Sequence, residues 1–314
     1  MCIEIFLVRV YSALQIDAGN KVLVVSGYNG NPQRIVEVLD VENGDNQCSN
    51  IGNLPYGIPN AVGGLAHQTY PVICGGGNSD SCLVYRTHVW NEVQGAMQLP
   101  RGHAAGIFVN PSTLFIAGGE GKGIGATSEL LTFDENGHFV NATVGPVLPH
   151  FSYSHCMVQI SASEVMVMGG TLNEKTYFLN VERGNWTAGP SLYKYPRFGC
   201  GLFRDIGNNH RYVIVGTTND SPTVEILDLN EPNGMWKFDV TIKFPVSLRH
   251  AEIVTPNGYA AYFMGGYGYQ KEVYKIQCFN KACELTNSTA ELGVPRGGFV
   301  SMIVPGNFTY CSLG

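Results

Sequence analysis

Short apolar runs recur along the chain, and each ends on small residues. They read VLVVSG (22–27), VICGGG (72–77), LFIAGG (114–119), VMVMGG (165–170), YVIVGT (212–217) and YFMGG (262–266). Runs of this length, rich in β-branched and aromatic residues and bounded by glycine, predict short buried strands. A polar turn follows each, and then a second strand: IVEVLD (35–40), CLVY (82–85), ELLTF (129–133), TYFLN (176–180), TVEILD (223–228) and EVYKI (272–276). The second residues of the small pairs stand at 27, 76, 119, 170, 217 and 266, so one unit of 43 to 51 residues repeats six times. A fixed period of this length marks a repeat architecture, in which each unit buries its apolar faces only against its neighbours.

Three units carry a tryptophan further on, Trp90, Trp186 and Trp236, each in a segment suited to an outer strand. Proline-containing links then lead into small-residue strands, as in LPRGHAAGIF (99–108), YPRFGCGLF (195–203) and VPRGGFVSMIV (294–304). Each unit therefore predicts four strands. Diglycine, aromatic, tryptophan and proline-arginine in this order resemble the kelch repeat, over residues 20 to 304. The resemblance implies an all-β, six-bladed β-propeller. The departures are Ser26-Gly27 and Gly216-Thr217 in place of diglycine, and the absence of tryptophan from the first, third and sixth units.

Strand counting leaves the first unit without an inner strand and the last with one too many. Residues 297 to 304 are expected to close the ring by pairing with residues 21 to 26, which removes exposed strand edges. The expected organisation is a leader or signal-like segment over 1–18 and one propeller over 19–314. The glycines have a rival reading as a phosphate-cradling loop, but such a loop needs a following helix, and here a strand follows.

Composition narrows the partners. Only 14% of residues are charged, so the 44% that are hydrophobic suffice for a large core, divided between blades. A net charge of -6, with no Lys/Arg cluster, disfavours nucleic acid, and no apolar run of 18 residues exists to insert in a membrane. Of nine cysteines, Cys74 with Cys82 and Cys278 with Cys283 have hairpin spacing suited to bridges. Cys156 and Cys200 lie in small-residue inner strands, where at least one is expected to be a buried thiol. Asn141, Asn185, Asn219, Asn287 and Asn307 each begin an N-x-[ST] sequon. Cysteines and sequons together point to a secreted or extracellular glycoprotein, with a cytoplasmic protein as the alternative.

No residue names a substrate, and propellers host enzymes and binders alike. The resemblance implies a non-catalytic module that binds a protein or carbohydrate ligand on one face. The alternatives are a sugar-acting enzyme of the galactose-oxidase or sialic-acid-epimerase kind, or an extracellular structural glycoprotein. No cofactor or metal is expected, because His67, His88, His138 and His210 are scattered and no His/Cys cluster occurs. The starts of the inner strands carry Arg101, His103, His150 or His155, Arg197, Arg249, His250 and Arg296. These could ring one opening and read a carboxylate, or they could tie the blades together. Loops after the small pairs add Tyr28, Asn29, Asn78, Glu120, Asn173, Asn219 and Tyr267, suited either to recognition or to turn formation.

Overall fold

The computed structural model describes residues 20–44, 51–77, 79–121, 123–171, 173–194, 196–217, 222–239, 241–305 and 308. Twenty-three strands and no helix occur among them. Blade 1 opens with β1 (Lys21–Val25) and β2 (Val36–Asp40). Blade 2 holds β3 (Val62–Ala66), β4 (Tyr70–Cys74), β5 (Cys82–Arg86) and β6 (Val89–Val93). Blade 3 holds β7 (Ala105–Asn110), β8 (Thr113–Ala117), β9 (Ser128–Phe133) and β10 (Phe139–Val144). Blade 4 holds β11 (Cys156–Gln159), β12 (Glu164–Met168), β13 (Thr176–Asn180) and β14 (Asn185–Ala188). Blade 5 holds β15 (Pro196–Arg204), β16 (Arg211–Thr217), β17 (Val224–Asp228) and β18 (Lys237–Asp239). Blade 6 holds β19 (Glu252–Val254), β20 (Ala260–Met264), β21 (Glu272–Phe279) and β22 (Ala282–Glu291).

Blades 2 to 6 are four-stranded antiparallel meanders, and the six sheets form a ring. The last strand, β23 (Val300–Ile303), pairs with β1 in the register Val22 to Ile303 and Val25 to Val300, so the C-terminal strand is the inner strand of blade 1. The expected closure is therefore present, and blade 1 has the order β2-β1-β23 among the described residues. Its expected outer strand near Cys48, and the leader over 1–18, lie outside those residues.

The second strand of each blade is buried on both faces, as in β4, β8, β12 and β20, because it is sandwiched between neighbouring blades. This explains why the period-2 alternation of a half-exposed sheet is missing there. Six apolar clusters result. One spans β1, β23 and blade 2 through Leu23, Val25, Met302, Ile73 and Tyr85, and another spans blades 5 and 6 through Phe203, Ile214, Phe263 and Ile276. Trp236 is fully buried, and its indole N–H donates to the Pro190 carbonyl at 3.0 Å, fastening blade 5 to the link that precedes it.

The glycine pairs have a shared geometric cause. Gly118 has φ +64°, and a Cβ on it would collide with the Ser152 carbonyl of the next link and stand 2.6 Å from His155 Cε1. Gly265 has φ +61°, and a Cβ there would collide with the Arg296 carbonyl. The first glycine thus lets the second strands of blades 2, 3 and 6 touch the link of the following blade, in a conformation that disfavours any side chain. In blade 1 Ser26 takes this place at φ 66°, and its hydroxyl accepts the Ile58 N–H at 2.9 Å.

Disulfides join Cys74 to Cys82 and Cys278 to Cys283, each across a directly facing strand pair. A third joins Cys156 of β11 to Cys200 of β15. The expectation of a free thiol in that pair is thereby corrected. The two cysteines stand on adjacent inner strands with Cα atoms 6.0 Å apart, a contact between blades that their spacing in sequence does not show. Three bridges are consistent with an extracellular location. Cys2, Cys48 and Cys311 lie outside the described residues.

Candidate functional site: rim and axial cavity

Links and post-glycine loops share one face, as the isolated bridges Tyr28 to Gly297 and Gly102 to Glu120 show. Two residues before the inner strand, five blades place a residue of positive φ: Asn60 (58°), His103 (54°), Ser154 (55°), His250 (61°) and Gly298 (59°). Their backbones bond in succession around the axis. Gly298 N–H donates to His250, Asn60 to Gly298, His103 to Asn60 and Ser154 to His103, at 2.8 to 3.2 Å. The left-handed turn aims each N–H at the carbonyl of the neighbouring link, and so the mouth of the propeller is fixed by main chain.

The arginines divide by environment. Arg101 is fully buried, with Nε and Nη2 on Glu129 Oε1 at 3.0 and 2.9 Å and Nη1 on the Gly118 carbonyl at 2.7 Å. Arg296 is likewise buried, paired with Glu37 of β2. Where the third strand has no glutamate at this position, the link has no arginine: Ile58 faces Leu83 in one cluster, and Leu248 joins Tyr274 in another. Arg101 and Arg296 thus belong to ion pairs inside their blades. Glu225 of β17 accepts the N–H groups of Tyr193 and Lys194 at 2.8 Å, and burial pushes its carboxyl up against the pull of those bonds. Arg197 lies in β15, at the same separation from Glu225 that Arg101 has from Glu129.

Arg249 alone of the described rim arginines is exposed, its guanidinium 5.5 Å from the centre of the Tyr267 ring. Beside it lies a cleft of about 90 Å3 lined by Tyr28, Asn60, His250, Tyr267 and Tyr269. Tyr28 and Tyr269 meet at 6.2 Å between ring centres, and Tyr28 and Tyr267 are 40% and 59% exposed, so ring surface is open to solvent. Across the mouth, His103 Nε2 stands 3.6 Å from Glu120, and its ring is 6.0 Å from that of His250. Burial lowers the His103 pKa, the Glu120 carboxylate opposes this, and the Arg249 charge adds to it.

Other expected positions serve the loops themselves. Asn173 is buried and bonds Gly169 and Lys175, closing its own turn. Asn29 accepts from Gln33, and His150 Nδ1 bonds the Phe151 carbonyl at 2.6 Å. Asn78 and Asn219 lie outside the described residues. Asn141, Asn185 and Asn287 are exposed on the outer strands β10, β14 and β22, whereas Asn307 is not among the described residues.

Beneath the mouth is an axial cavity of about 140 Å3 to which all six inner strands contribute, among them Val62, Ala105, Met157, Cys200, Glu252 and Ser301. His155 lines it and is 3% exposed, and neither ring nitrogen has a hydrogen bond among the described residues. Glu252 lines the same space, with Ser301 Oγ 3.4 Å away. Sequence reasoning missed Glu252, Ser301, Asn60 and Tyr269. The signal for Glu252 lay in the repeat register: the first inner-strand residue is Val62, Ala105, Cys156 and Val300 elsewhere.

No family model matches the sequence, and no curated protein does either. Among solved structures the chain is similar to one titled "Structure of YjhT", at 13% identity and a TM-score of 0.58, covering 79% of this chain and 88% of that one. At that identity the likeness shows the fold, a six-bladed β-propeller. The kelch resemblance rests on the repeat residues themselves.

Proposed function

We propose that this chain is a secreted, kelch-type propeller that binds a protein or glycan ligand on its loop face without transforming it, and that glycan is the class the rim favours. The observation that carries this is the cleft between blades 1 and 6. Its walls are the exposed rings of Tyr28 and Tyr267 with Tyr269, and its polar edge is the Asn60 amide, His250 and the Arg249 guanidinium. Open tyrosine rings offer flat apolar surface with a hydroxyl at the tip, which suits the mixed faces of a sugar. A guanidinium held beside them reads a carboxylate or hydroxyl pair through its fork of donors. The main-chain ring at the mouth holds these groups in place before a ligand arrives, which lowers the ordering cost of binding.

Glycan-array binding of the full chain, followed by titration of the best ligand, tests this. Tyr267→Ala and Arg249→Ala are each expected to weaken binding by about tenfold or more, as loss of an aromatic or charged contact does. Unchanged thermal stability in both variants would confirm that the loss is local. Retained affinity in both would overturn the assignment of the cleft.

A further inference from the structure

Two residues break the repeat register inside the axial cavity, and both are polar. Where the other regular blades place Ala61, Ala104, Ala251 and Phe299 immediately before the inner strand, blade 4 places His155. Where they begin that strand with Val62, Ala105, Cys156 or Val300, blade 6 begins it with Glu252. Buried polar groups are nearly always satisfied within the fold. Among the described residues neither ring nitrogen of His155 has a hydrogen-bond partner, although the ring is 3% exposed and lines the cavity. Glu252 is half-buried, and among the described residues it makes one long contact, to Ser301 Oγ at 3.4 Å. The ring of His155 lies against Gly118, where a Cβ would come within 2.6 Å of it, so the fold also makes room for the imidazole.

We infer that the axial cavity is a binding site for a primary ammonium group, held by the Glu252 carboxylate and the His155 imidazole. The two groups define the ligand by what they lack. Each offers a lone pair in a space whose other walls are mainly glycine, alanine and apolar side chains. The buried guanidiniums of Arg101 and Arg296 are paired with Glu129 and Glu37, and among the described side chains no cation is paired with Glu252. An ammonium group brings the missing positive charge and three donors, enough for the carboxylate, the imidazole and the Ser301 hydroxyl. A metal ion fits less well, because among the described residues no three His, Cys, Asp or Glu side chains converge. The cavity takes a slender alkyl stem, and the chain's net charge of -6 favours approach of a cation. Burial raises the Glu252 carboxyl to about 8 and lowers His155 to about 4, and a cation arriving beside Glu252 draws its carboxyl back toward the charged form. Of the other titratable groups, His103 also lines the cavity, and Glu120 and Arg249 act on His103 at the mouth.

The inference stands apart from the aromatic cleft, although Asn60 lines both spaces. It is tested by calorimetric titration of the full chain with n-butylammonium chloride at constant ionic strength, with tetramethylammonium as the control. Saturable one-to-one binding of butylammonium but not of tetramethylammonium is expected. Glu252→Gln keeps the shape and removes the charge, and is expected to weaken binding by about tenfold or more. His155→Phe, which matches the Phe299 of blade 1, is expected to weaken it while leaving the fold intact, and Tyr267→Ala should leave it unchanged. Parallel titration with Nα-acetyl-lysine amide separates the sources: binding of both points to a partner's lysine, and binding of butylammonium alone to a free amine. Absence of saturation in the wild type, or equal affinity in Glu252→Gln, would overturn the inference whatever the outcome at the cleft.

Discussion

The guanidinium of Arg101 and the carboxylate of Glu129 meet inside blade 3 with both side chains almost fully buried, the arginine Nε and Nη2 sharing one carboxylate oxygen. The same glutamate accepts the backbone N–H groups of Gln98 and Leu99, so one carboxylate fastens the link to the third strand. Removing one partner leaves a buried charge uncompensated, which costs about 3–5 kcal/mol, whereas replacing both by apolar residues is often neutral. Blade 2 already contains the apolar version, Ile58 with Leu83. Arg101→Ile is therefore expected to lose several kcal/mol in denaturant unfolding, and Arg101→Ile with Glu129→Leu to recover most of it. A double loss equal to the sum of the separate Arg101→Ile and Glu129→Leu losses would show that the ion pair does not couple the two positions.

Closure by β23 predicts a different failure. Removing residues 295 to 314 takes away the inner strand of blade 1 and leaves the β1 edge unpaired, with Leu23 and Val25 uncovered. Aggregation is expected rather than a shortened, cooperatively folded protein, as judged by size-exclusion chromatography and thermal melting. A soluble truncation with a single sharp melt would contradict the pairing.

The three bridges should differ in weight. Cys156 and Cys200 enclose a separation of 44 residues, and Cys278 and Cys283 one of 5. On loop-closure entropy the first contributes about 4 kcal/mol and the second about 2 kcal/mol. Paired serine substitutions compared by denaturant unfolding check the order. A non-reducing peptide map checks the pairing itself, and alkylation of these six thiols without reductant would exclude it.

Glu252 and His155 also give stability a pH profile. Burial raises the Glu252 carboxyl from 4.5 to about 8, so the folded state holds a proton that the unfolded chain has released, and stability falls as pH rises through that window. Burial lowers His155 from 6.5 to about 4, so there the unfolded chain holds the extra proton and stability rises with pH. The two slopes oppose each other between 4.5 and 6.5, and Glu252 acts alone from 6.5 to about 8. Thermal melts from pH 5 to 9 should show a decline across neutrality that Glu252→Gln abolishes. An unchanged decline in that variant would assign the effect elsewhere.

Surface chemistry follows from the outer strands. Asn141, Asn185 and Asn287 are exposed there, on strands that end their sheets among the described residues. Mass spectrometry of protein secreted from a eukaryotic host is expected to find glycan on at least two of them. Unmodified asparagine at all three would reject the glycoprotein reading.

Much of the fold was written in local pattern. Strand length, the glycine pairs and the six-fold spacing are properties of neighbouring residues, and the shortage of inner strands in the first unit required the last strand to return to it. Hairpin bridges were legible for the same reason, because Cys74 with Cys82 and Cys278 with Cys283 face each other within one meander. The site was less legible. Whether an arginine serves the rim or the core depends on which residue the third strand sets against it: Glu129 draws Arg101 inward, while Tyr274 packs with Leu248 and leaves Arg249, one residue later, in solvent. Cys156 found Cys200 only because two inner strands run side by side about the axis. Glu252 and His155 come from different blades: in sequence Glu252 reads as an ordinary strand residue, and His155 only as one of two alternatives for the rim of blade 4. Ring closure around a shared axis made them walls of one cavity, since it sets side by side residues that the chain keeps far apart.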